Sequence, residues 1–298
     1  MATLDFASLG SISLAFGDKD AAQTWGGGVL SGTTGTPVQQ MQAALVSVGL
    51  LDAADGVFGS DTRAALARFQ WSAANCASRL KVSAGTSIAD GSIESITAID
   101  PGASGVCTAD LAGHLIDWQS GPFLATTPLV RLNLAGFSNI RVAPTFTVLA
   151  YPAAQHGEIL IHADFAAAIA ILNTQAAAHG VTLLINQTFR SAEIPPSGAI
   201  VPPAQKSQHL IGHAVDLNIK DGDVLNTSSS FASGTATSAA RAFISAAKSS
   251  GLRWGGDFTP ADPVHFDDFV HPDSDAYAMD YFFAQHCFRQ GHPMRQVS

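Results

Sequence analysis

Residues 207–216 read Ser-Gln-His-Leu-Ile-Gly-His-Ala-Val-Asp, and from Val215 onward Leu217 and Ile219 alternate with Asp216 and Asn218. Alternation with period two marks a strand with one buried face. The spacing therefore predicts a strand over 214–219 with Asp216 on its polar side. Gly212 sets a turn ahead of that strand, and His209, seven residues before Asp216, can reach the same point as its carboxylate. A second short strand is predicted over 264–269, where Val264 and Phe266 oppose His265 and Asp267. Further out, Phe165, Ile169 and Leu172 keep helical spacing over 164–179 and Gly180 ends the helix. Residues 181–189 read as a buried strand and 238–250 as a helix closed by Gly251. Residues 122–152 read as extended or linking, and the Ser/Thr/Gly/Ala run 226–237 as a surface loop. Helices interspersed with short strands predict an α+β domain.

The N-terminal half has a different texture. After Pro37, Val38, Met41, Leu45 and Val48 form one helical stripe that stops at Gly49. A tight turn follows at Asp55-Gly56-Val57-Phe58-Gly59, and Ser60 or Asp61 can cap a helix carrying Thr62, Ala65, Leu66 and Phe69. A polar stretch of some thirty residues then shows few elements. Gly105-Val106 echoes Gly56-Val57, with Asp110 and Leu115 at the offsets of Asp61 and Leu66, which predicts a compact three-helix unit ending near Trp118. Residues 1–35, rich in Gly, Ser, Thr and Ala, read as a leader or loose cover.

The chain has 298 residues, 47 % hydrophobic, enough for a real core, and only 13 % charged. Its length predicts two folded units. The net charge of −9 argues against a general nucleic-acid binder, which needs a basic footprint to displace counterions. The longest uncharged stretch of the apolar half, Phe165–Phe189, is interrupted by Asn173, Gln175, His179, Gly180 and Asn186, so no membrane insertion is expected. No Lys or Arg precedes Lys19, and Asp5 lies in the first turn, so the N-terminus does not read as a secretory signal. Three cysteines, Cys76, Cys107 and Cys287, form no disulfide framework; small buried side chains are the first reading, with a Cys76–Cys107 bridge as the alternative in an oxidising compartment.

One His and one Asp supply two metal ligands, whereas a catalytic zinc wants three and an open position. His265, on the polar face of the other strand, is the candidate third. Spacing alone leaves open that His265 is an ordinary hydrogen-bonded histidine beside the core. A helical His209/His213 pair is disfavoured, because Leu210 stands where the metalloprotease motif has Glu and Gly212 weakens a helix.

Ser207-x-His209-x-x-Gly212-x-Ala214-x-Asp216, Trp254-Gly255-Gly256-Asp257 and Asp262-x-x-His265-Phe266, in that order, resemble the signature of the M15 peptidases. These are zinc-dependent D-Ala-D-Ala carboxypeptidases, D,D-dipeptidases and the L-alanyl-D-glutamate endopeptidases of phage endolysins. Phe189-Arg190-Ser191 is similar to the Tyr-Arg-Ser element of the same family. The resemblance implies that His209, Asp216 and His265 bind one Zn²⁺, that Asp262 is the general base, and that Arg190 polarises the scissile carbonyl. Ser207 either contacts substrate or holds the turn. The polyproline pairs Pro195-Pro196 and Pro202-Pro203 depart from the polar helix that often follows in the family. Asp257, Asp267, Asp268 and His271 match no assigned role. Val38-x-x-Met41-Gln42-x-x-Leu45, Gly49-Leu50, Asp55-Gly56-x-Phe58-Gly59, Thr62 and Phe69-Gln70 resemble a three-helix peptidoglycan-binding domain.

The two resemblances together imply an all-α three-helix peptidoglycan-binding domain and an α+β zinc peptidase domain with a small antiparallel sheet. The expected organisation is a leader over 1–35, the binding domain over 36–118, a linker over 119–145 able to pack on the catalytic domain, and the peptidase over 146–298. The function implied is that of a phage-type endolysin, a monomer whose partner is bacterial peptidoglycan. It is expected to be made in the host cytoplasm without a signal peptide and to act on the wall, in the periplasm, after release, cutting the stem peptide at L-Ala–D-Glu. The alternatives are a D-Ala-D-Ala carboxypeptidase that remodels the wall and a non-catalytic wall-binding protein that keeps the zinc fold.

Overall fold

The computed structural model describes residues 13–22, 24–25, 28–29, 36–75, 78–81, 92–95, 99–100, 102–120, 123–124, 128–144, 146, 157–194, 205–289, 294 and 296–297. The chain divides into two units, Met1–Thr126 and Thr127–Ser298.

In the first unit a short hairpin of β1 (Thr24–Trp25) and β2 (Gly28–Val29) precedes helix α1 (Pro37–Ser47) and helix α2 (Ser60–Asn75). Strands β3 (Ser78–Lys81) and β4 (Ser92–Ser95), helix α3 (Ala109–Ser120) and strand β5 (Phe123–Leu124) complete it. The expected stripes are the buried ones: Val38, Met41, Leu45 and Val48 on α1 and Thr62, Ala65, Leu66 and Phe69 on α2. Phe69 meets Trp118 of α3 edge-on at 5.1 Å between ring centres. The expectation of an all-α unit is corrected, because β3, β4 and β5 form an antiparallel three-stranded sheet. Strands of two to four residues are too short for period-two alternation to stand out in sequence.

Two buried glutamine amides explain the internal echo. Gln42 Oε1 accepts the Asp55 and Gly56 N–H groups at 2.9 and 2.8 Å, and its Nε2 donates to Asp55 Oδ1, the Val57 carbonyl and Thr62 Oγ1 at 2.8, 3.0 and 2.8 Å. Gln70 repeats the arrangement one helix later, accepting from Gly105 N–H at 2.8 Å and donating to the Ala103 carbonyl at 3.0 Å. Gly56 and Gly105 both take positive φ, +75° and +73°, which glycine adopts without strain. Each turn is thus held by an amide from the helix before it.

The described part of the N-terminal segment is an integral piece of this unit. Leu14 is fully buried and bridges to Cys107, Lys19 bridges to Val57, and the Asp20 carboxylate accepts the Val38 and Gln39 N–H groups at 3.1 and 2.8 Å. Thr36 makes no side-chain cap on α1, so these two free amides of the first turn are satisfied from 18 and 19 residues away. Cys107 is a free, buried thiol whose pKa is pushed up to about 12 by burial. Cys76 and the sequence before Ser13 lie outside the described residues.

The second unit runs β6 (Leu129–Asn133), β7 (Ile140–Val142), β8 (Glu158–His162), α4 (Ala166–Ala178), β9 (Thr182–Gln187), β10 (Ala214–Asp221) and β11 (Val224–Asn226). It continues with α5 (Ser228–Ala232), α6 (Ser238–Ser249), β12 (Arg253–Trp254), β13 (His265–Asp267), α7 (Asp275–Arg289) and β14 (Gln296–Val297). The main sheet has the order β12-β13-β10-β9-β7, with β11 also on β10, and β14-β6-β8 form a second sheet. The apolar faces of α4 and α6, including Phe165, Ile169, Leu172 and Phe243, pack on Ile185, Val215, Leu217, Ile219 and Phe266. Burying each such side chain contributes about 1.5–3 kcal/mol.

Several expectations are corrected here. The sheets are mixed, since β7 pairs with β9 and β14 with β6 in parallel. Residues 129–142, read as part of a linker, supply β6 and β7 to these sheets. The 226–237 run contains the short helix α5, and Asn226 is fully buried, donating to the Ile219 carbonyl and accepting Thr237 N–H. Helix α7 escaped the sequence reading because its buried face carries Asp280 and Gln285 beside Tyr277, Phe283 and Ala284, which breaks the apolar stripe. The two polyproline pairs lie outside the described residues.

Removing the Gln42 amide leaves buried N–H groups without an acceptor, which costs about 1–3 kcal/mol. Gln42→Ala is therefore expected to lower the unfolding midpoint in the full chain, read by circular dichroism; an unchanged midpoint contradicts the clamp.

Candidate metal centre

The turn before β10 is a short 3-10 segment, Gln208–Leu210, whose N-cap is Ser207: its hydroxyl accepts His209 N–H at 3.3 Å. Ser207 therefore holds the turn. Gly212 follows with φ +80°, and a Cβ there would lie 2.5 Å from the His162 backbone nitrogen and 2.9 Å from Leu129. The turn can approach β8 this closely only with glycine. His162 N–H then donates to the Gly212 carbonyl at 2.9 Å.

The register of β10 on β13 sets Asp216 opposite His265. Three atoms consequently converge. His209 Nε2 lies 3.1 Å from Asp216 Oδ1 and 3.1 Å from His265 Nδ1, and His265 Nδ1 lies 3.2 Å from Asp216 Oδ1. The outward ring nitrogens are also engaged: His209 Nδ1–H donates to the Thr188 carbonyl at 2.7 Å, and His265 Nε2–H donates to Asp267 Oδ2 at 2.9 Å. With those protons outward, the neutral rings present two lone pairs beside a carboxylate oxygen. Either a proton or a cation must sit among them. Tetrahedral ligands about 2.0–2.1 Å from a zinc ion lie ~3.3 Å apart, so the triangle fits a divalent ion, and its donors are of the kind zinc takes.

The local charges agree. Burial by itself favours a neutral Asp216, but the charge and hydrogen bonds of His209 and His265 outweigh it and hold the carboxyl far below the usual range. Burial opposes a charged His265, yet hydrogen bonds to Asp216 and Asp267 prevail and raise it to about 9. The negative field that keeps a proton there also draws a cation.

Asp267 is the residue that sequence reasoning set aside. It is fully buried, and Arg253 Nε and an Arg253 terminal nitrogen donate to its two oxygens, each at 2.7 Å. Arg253 lies between the rings of Phe258 and Phe269, 5.1 and 3.9 Å from their centres. The available signal was the strand alternation, which set Asp267 on the face of His265. Carboxylates behind ligating histidines fix tautomer and orientation.

Gly255 and Gly256 position Asp262. Asp262 N–H donates to the Gly255 carbonyl at 2.7 Å, and a Cβ on Gly255 would fall 2.2 Å from the Asp262 carbonyl oxygen. A Cβ on Gly256 would meet the Trp254 ring at 2.2 Å, and Trp254 Nε1–H donates to the Pro263 carbonyl at 2.8 Å. The Asp262 carboxyl is half-buried and its pKa is raised, first by burial and then by Asp216, against the pull of His265 and His209. Arg190 is only 6 % exposed. Its backbone is locked by N–H donation to the His209 carbonyl and by Gln285, which donates to the carbonyls of Arg190 and Leu210. Burial lowers the Arg190 pKa, offset by the charges of Asp216 and Tyr277. His213 turns away from this centre and bonds Asp268 instead.

Residues 202–268 match the family model described as D-alanyl-D-alanine carboxypeptidase, of the M15 peptidases, and residues 34–74 match the peptidoglycan binding domain. The chain carries an M15 peptidase segment and a peptidoglycan-binding segment. Together they mark a hydrolase of the cell wall. The M15 segment contains His209, Asp216, Asp262 and His265, while Arg190 lies upstream of it. No curated protein matches the chain. No helix among the described residues is long and apolar enough to cross a membrane.

Asp267→Asn is expected to weaken metal binding about 10–100-fold, measured by competition with a chelating dye. Unchanged affinity would reduce Asp267 to a packing partner of Arg253.

Proposed function

We propose that this chain is a zinc peptidase of endolysin type that cuts the stem peptide of peptidoglycan, with L-Ala–D-Glu as the bond. The observation that carries the reading is the His209/Asp216/His265 triangle flanked by Asp262 and Arg190, in a chain that also has a wall-binding segment. His209 Nε2, His265 Nδ1 and Asp216 Oδ1 are the atoms that would hold the ion. Zinc bound there supplies a water whose pKa is brought towards ~7.

Asp262, whose backbone is fixed by its hydrogen bond to Gly255, would take the proton of the attacking water. It returns that proton to the departing amine, the general-acid half of the same cycle. Arg190, immobilised through Gln285 and the His209 carbonyl, offers a permanent positive charge to the oxygen of the scissile carbonyl as negative charge grows on it. Because its backbone is held by the same turn that carries His209, charge and ligand keep a common frame.

A wall-binding segment raises the local concentration of an insoluble substrate without altering the active site. That favours cutting close to the glycan, where cleavage releases wall material. The description of the matched family favours the second reading, removal of terminal D-Ala.

Mass spectrometry of fragments from purified peptidoglycan separates the readings. New amino-terminal D-Glu establishes the endopeptidase, and free D-Ala alone establishes the carboxypeptidase. Asp262→Ala is expected to slow release by about 10²–10⁴-fold while zinc content stays the same; wild-type activity in this variant would remove Asp262 from the mechanism. Gly255→Ala is expected to lower activity and zinc content together, because the added Cβ would fall 2.2 Å from the Asp262 carbonyl oxygen and 2.8 Å from Cβ of His265. Release by wild-type protein of neither product from several wall types would favour a non-catalytic wall binder.

A further inference from the structure

The turn that sends His209 into the candidate metal centre sends His213 to the opposite side of the same backbone. There a second constellation of ligand types lies among the described residues: His162 at the end of β8, His213 in the turn just before β10 and Asp280 on α7. One ligand atom from each falls within 4.8 Å of the other two. All three residues are more than nine-tenths buried.

The protonation of these rings is readable from their partners. His213 Nδ1 faces the Asp268 carboxylate at 2.9 and 3.2 Å. A carboxylate accepts, so Nδ1 carries the proton and Nε2 carries the lone pair. That Nε2 is buried and has no hydrogen-bond partner. An orphaned acceptor in a protein interior is destabilising, which makes it a group that calls for a ligand. The His213 ring lies against the His162 ring, with centres 4.2 Å apart. His162 Nε2 in turn lies 3.4 Å from Asp280 Oδ1, longer than a good charged hydrogen bond and close to the ~3.3 Å edge of a tetrahedral zinc site.

We propose that His162, His213 and Asp280 form a second metal site, of the zinc class, whose role is structural. Two imidazoles and a carboxylate suit zinc and not magnesium or calcium, which take oxygen ligands. His213 has a carboxylate at its other nitrogen, as ligating histidines do. Asp268 bonds His213 Nδ1, and Asp164 Oδ2 lies 3.8 Å from His162 Nδ1. At present Asp164 N–H donates to that Nδ1 at 3.1 Å. Ligation through Nε2 would move the ring proton to Nδ1, which gives up the Asp164 N–H bond and requires the exposed Asp164 carboxylate to close in from 3.8 Å as acceptor.

The three ligands come from β8, the turn into β10 and α7, so the ion ties together elements distant in sequence. Helix α7 already buttresses the other centre: Gln285 holds the Arg190 and Leu210 carbonyls, and Tyr277 Oη donates to the Ser207 carbonyl at 3.0 Å. A metal at His162/His213/Asp280 fixes the face of the turn that points away from His209.

The test is metal stoichiometry in the full chain, loaded with zinc and freed of loose ion by gel filtration. Two zinc ions per chain are expected in the wild type, falling to one in His213→Gln, in Asp280→Asn and in His209→Ala alike. One ion per chain in the wild type, retained in His213→Gln and lost in His209→Ala, overturns the proposal and leaves the proposed activity standing. Because a buried variant can misfold, a zinc-edge anomalous map of wild-type crystals gives an independent reading. A peak bonded to His162 and His213 supports the site, and a peak confined to His209, Asp216 and His265 refutes it. Zinc at both sites without release of wall fragments supports this inference and refutes the proposed activity.

Discussion

At Gly212 the chain turns with φ +80° so close to β8 that a Cβ would lie 2.5 Å from the His162 nitrogen. The arrangement of the C-terminal unit depends on that contact. It seats the 207–213 turn on the smaller sheet at the point where β10 enters the larger one. It also makes the two sides of one short segment face different surroundings. His209 points to Asp216 and His265, and His213 points to His162 and Asp280. A residue with a side chain at 212 would push β10 away from β8, and both clusters would lose their spacing together.

Once the turn is seated, pairing of β10 with β13 completes the larger centre. Asp216 opposite His265 is a register relation, and a slip of one residue would turn every polar side chain of β10 into the core. The buried charges are then arranged in alternation. Asp216 faces two histidines, His265 faces two carboxylates, and Asp267 faces both His265 and Arg253. Burial penalises each charge, so each must have its partners. Asp267 accordingly stays ionised below the usual carboxylate range although it is fully buried, because His265 and Arg253 outweigh that burial.

The N-terminal unit solves its own problem differently. With little charge on its helices, it uses neutral amides: Gln42 and Gln70 reach from one helix into the next turn and satisfy its backbone groups. The Asp20 carboxylate performs the same service for the start of α1. These contacts explain why Met41-Gln42 and Phe69-Gln70 stand in similar positions relative to Gly-containing turns.

Much of this was legible in the sequence because it rests on local periodicity. The apolar stripes of α1, α2, α4 and α6, the alternation in β10 and β13, and the glycine stops at 49, 180 and 251 each follow from contacts within a few residues. Asp216 and His265 were legible as candidates, since they stand on the polar faces of two alternating strands, but spacing alone left His265 open, and it was the resemblance to the M15 signature that joined them with His209 as a set. Non-local pairing was not. The short strands β3 to β5, the parallel pairs that bring β6, β7 and β14 into the sheets, and the Asp20 cap carry no local signature. Helix α7 hid because its inward face holds Asp280 and Gln285, whose partners lie far off in the chain. The sequence by itself determined which residues are hydrophobic, where helices start and stop, and which polar groups stand on the face of each strand. Only the tertiary structure decided that Asp267 backs His265, that Gln285 locks Arg190, and that His213 meets His162, because each of these depends on two backbones approaching at a distance that no single segment encodes.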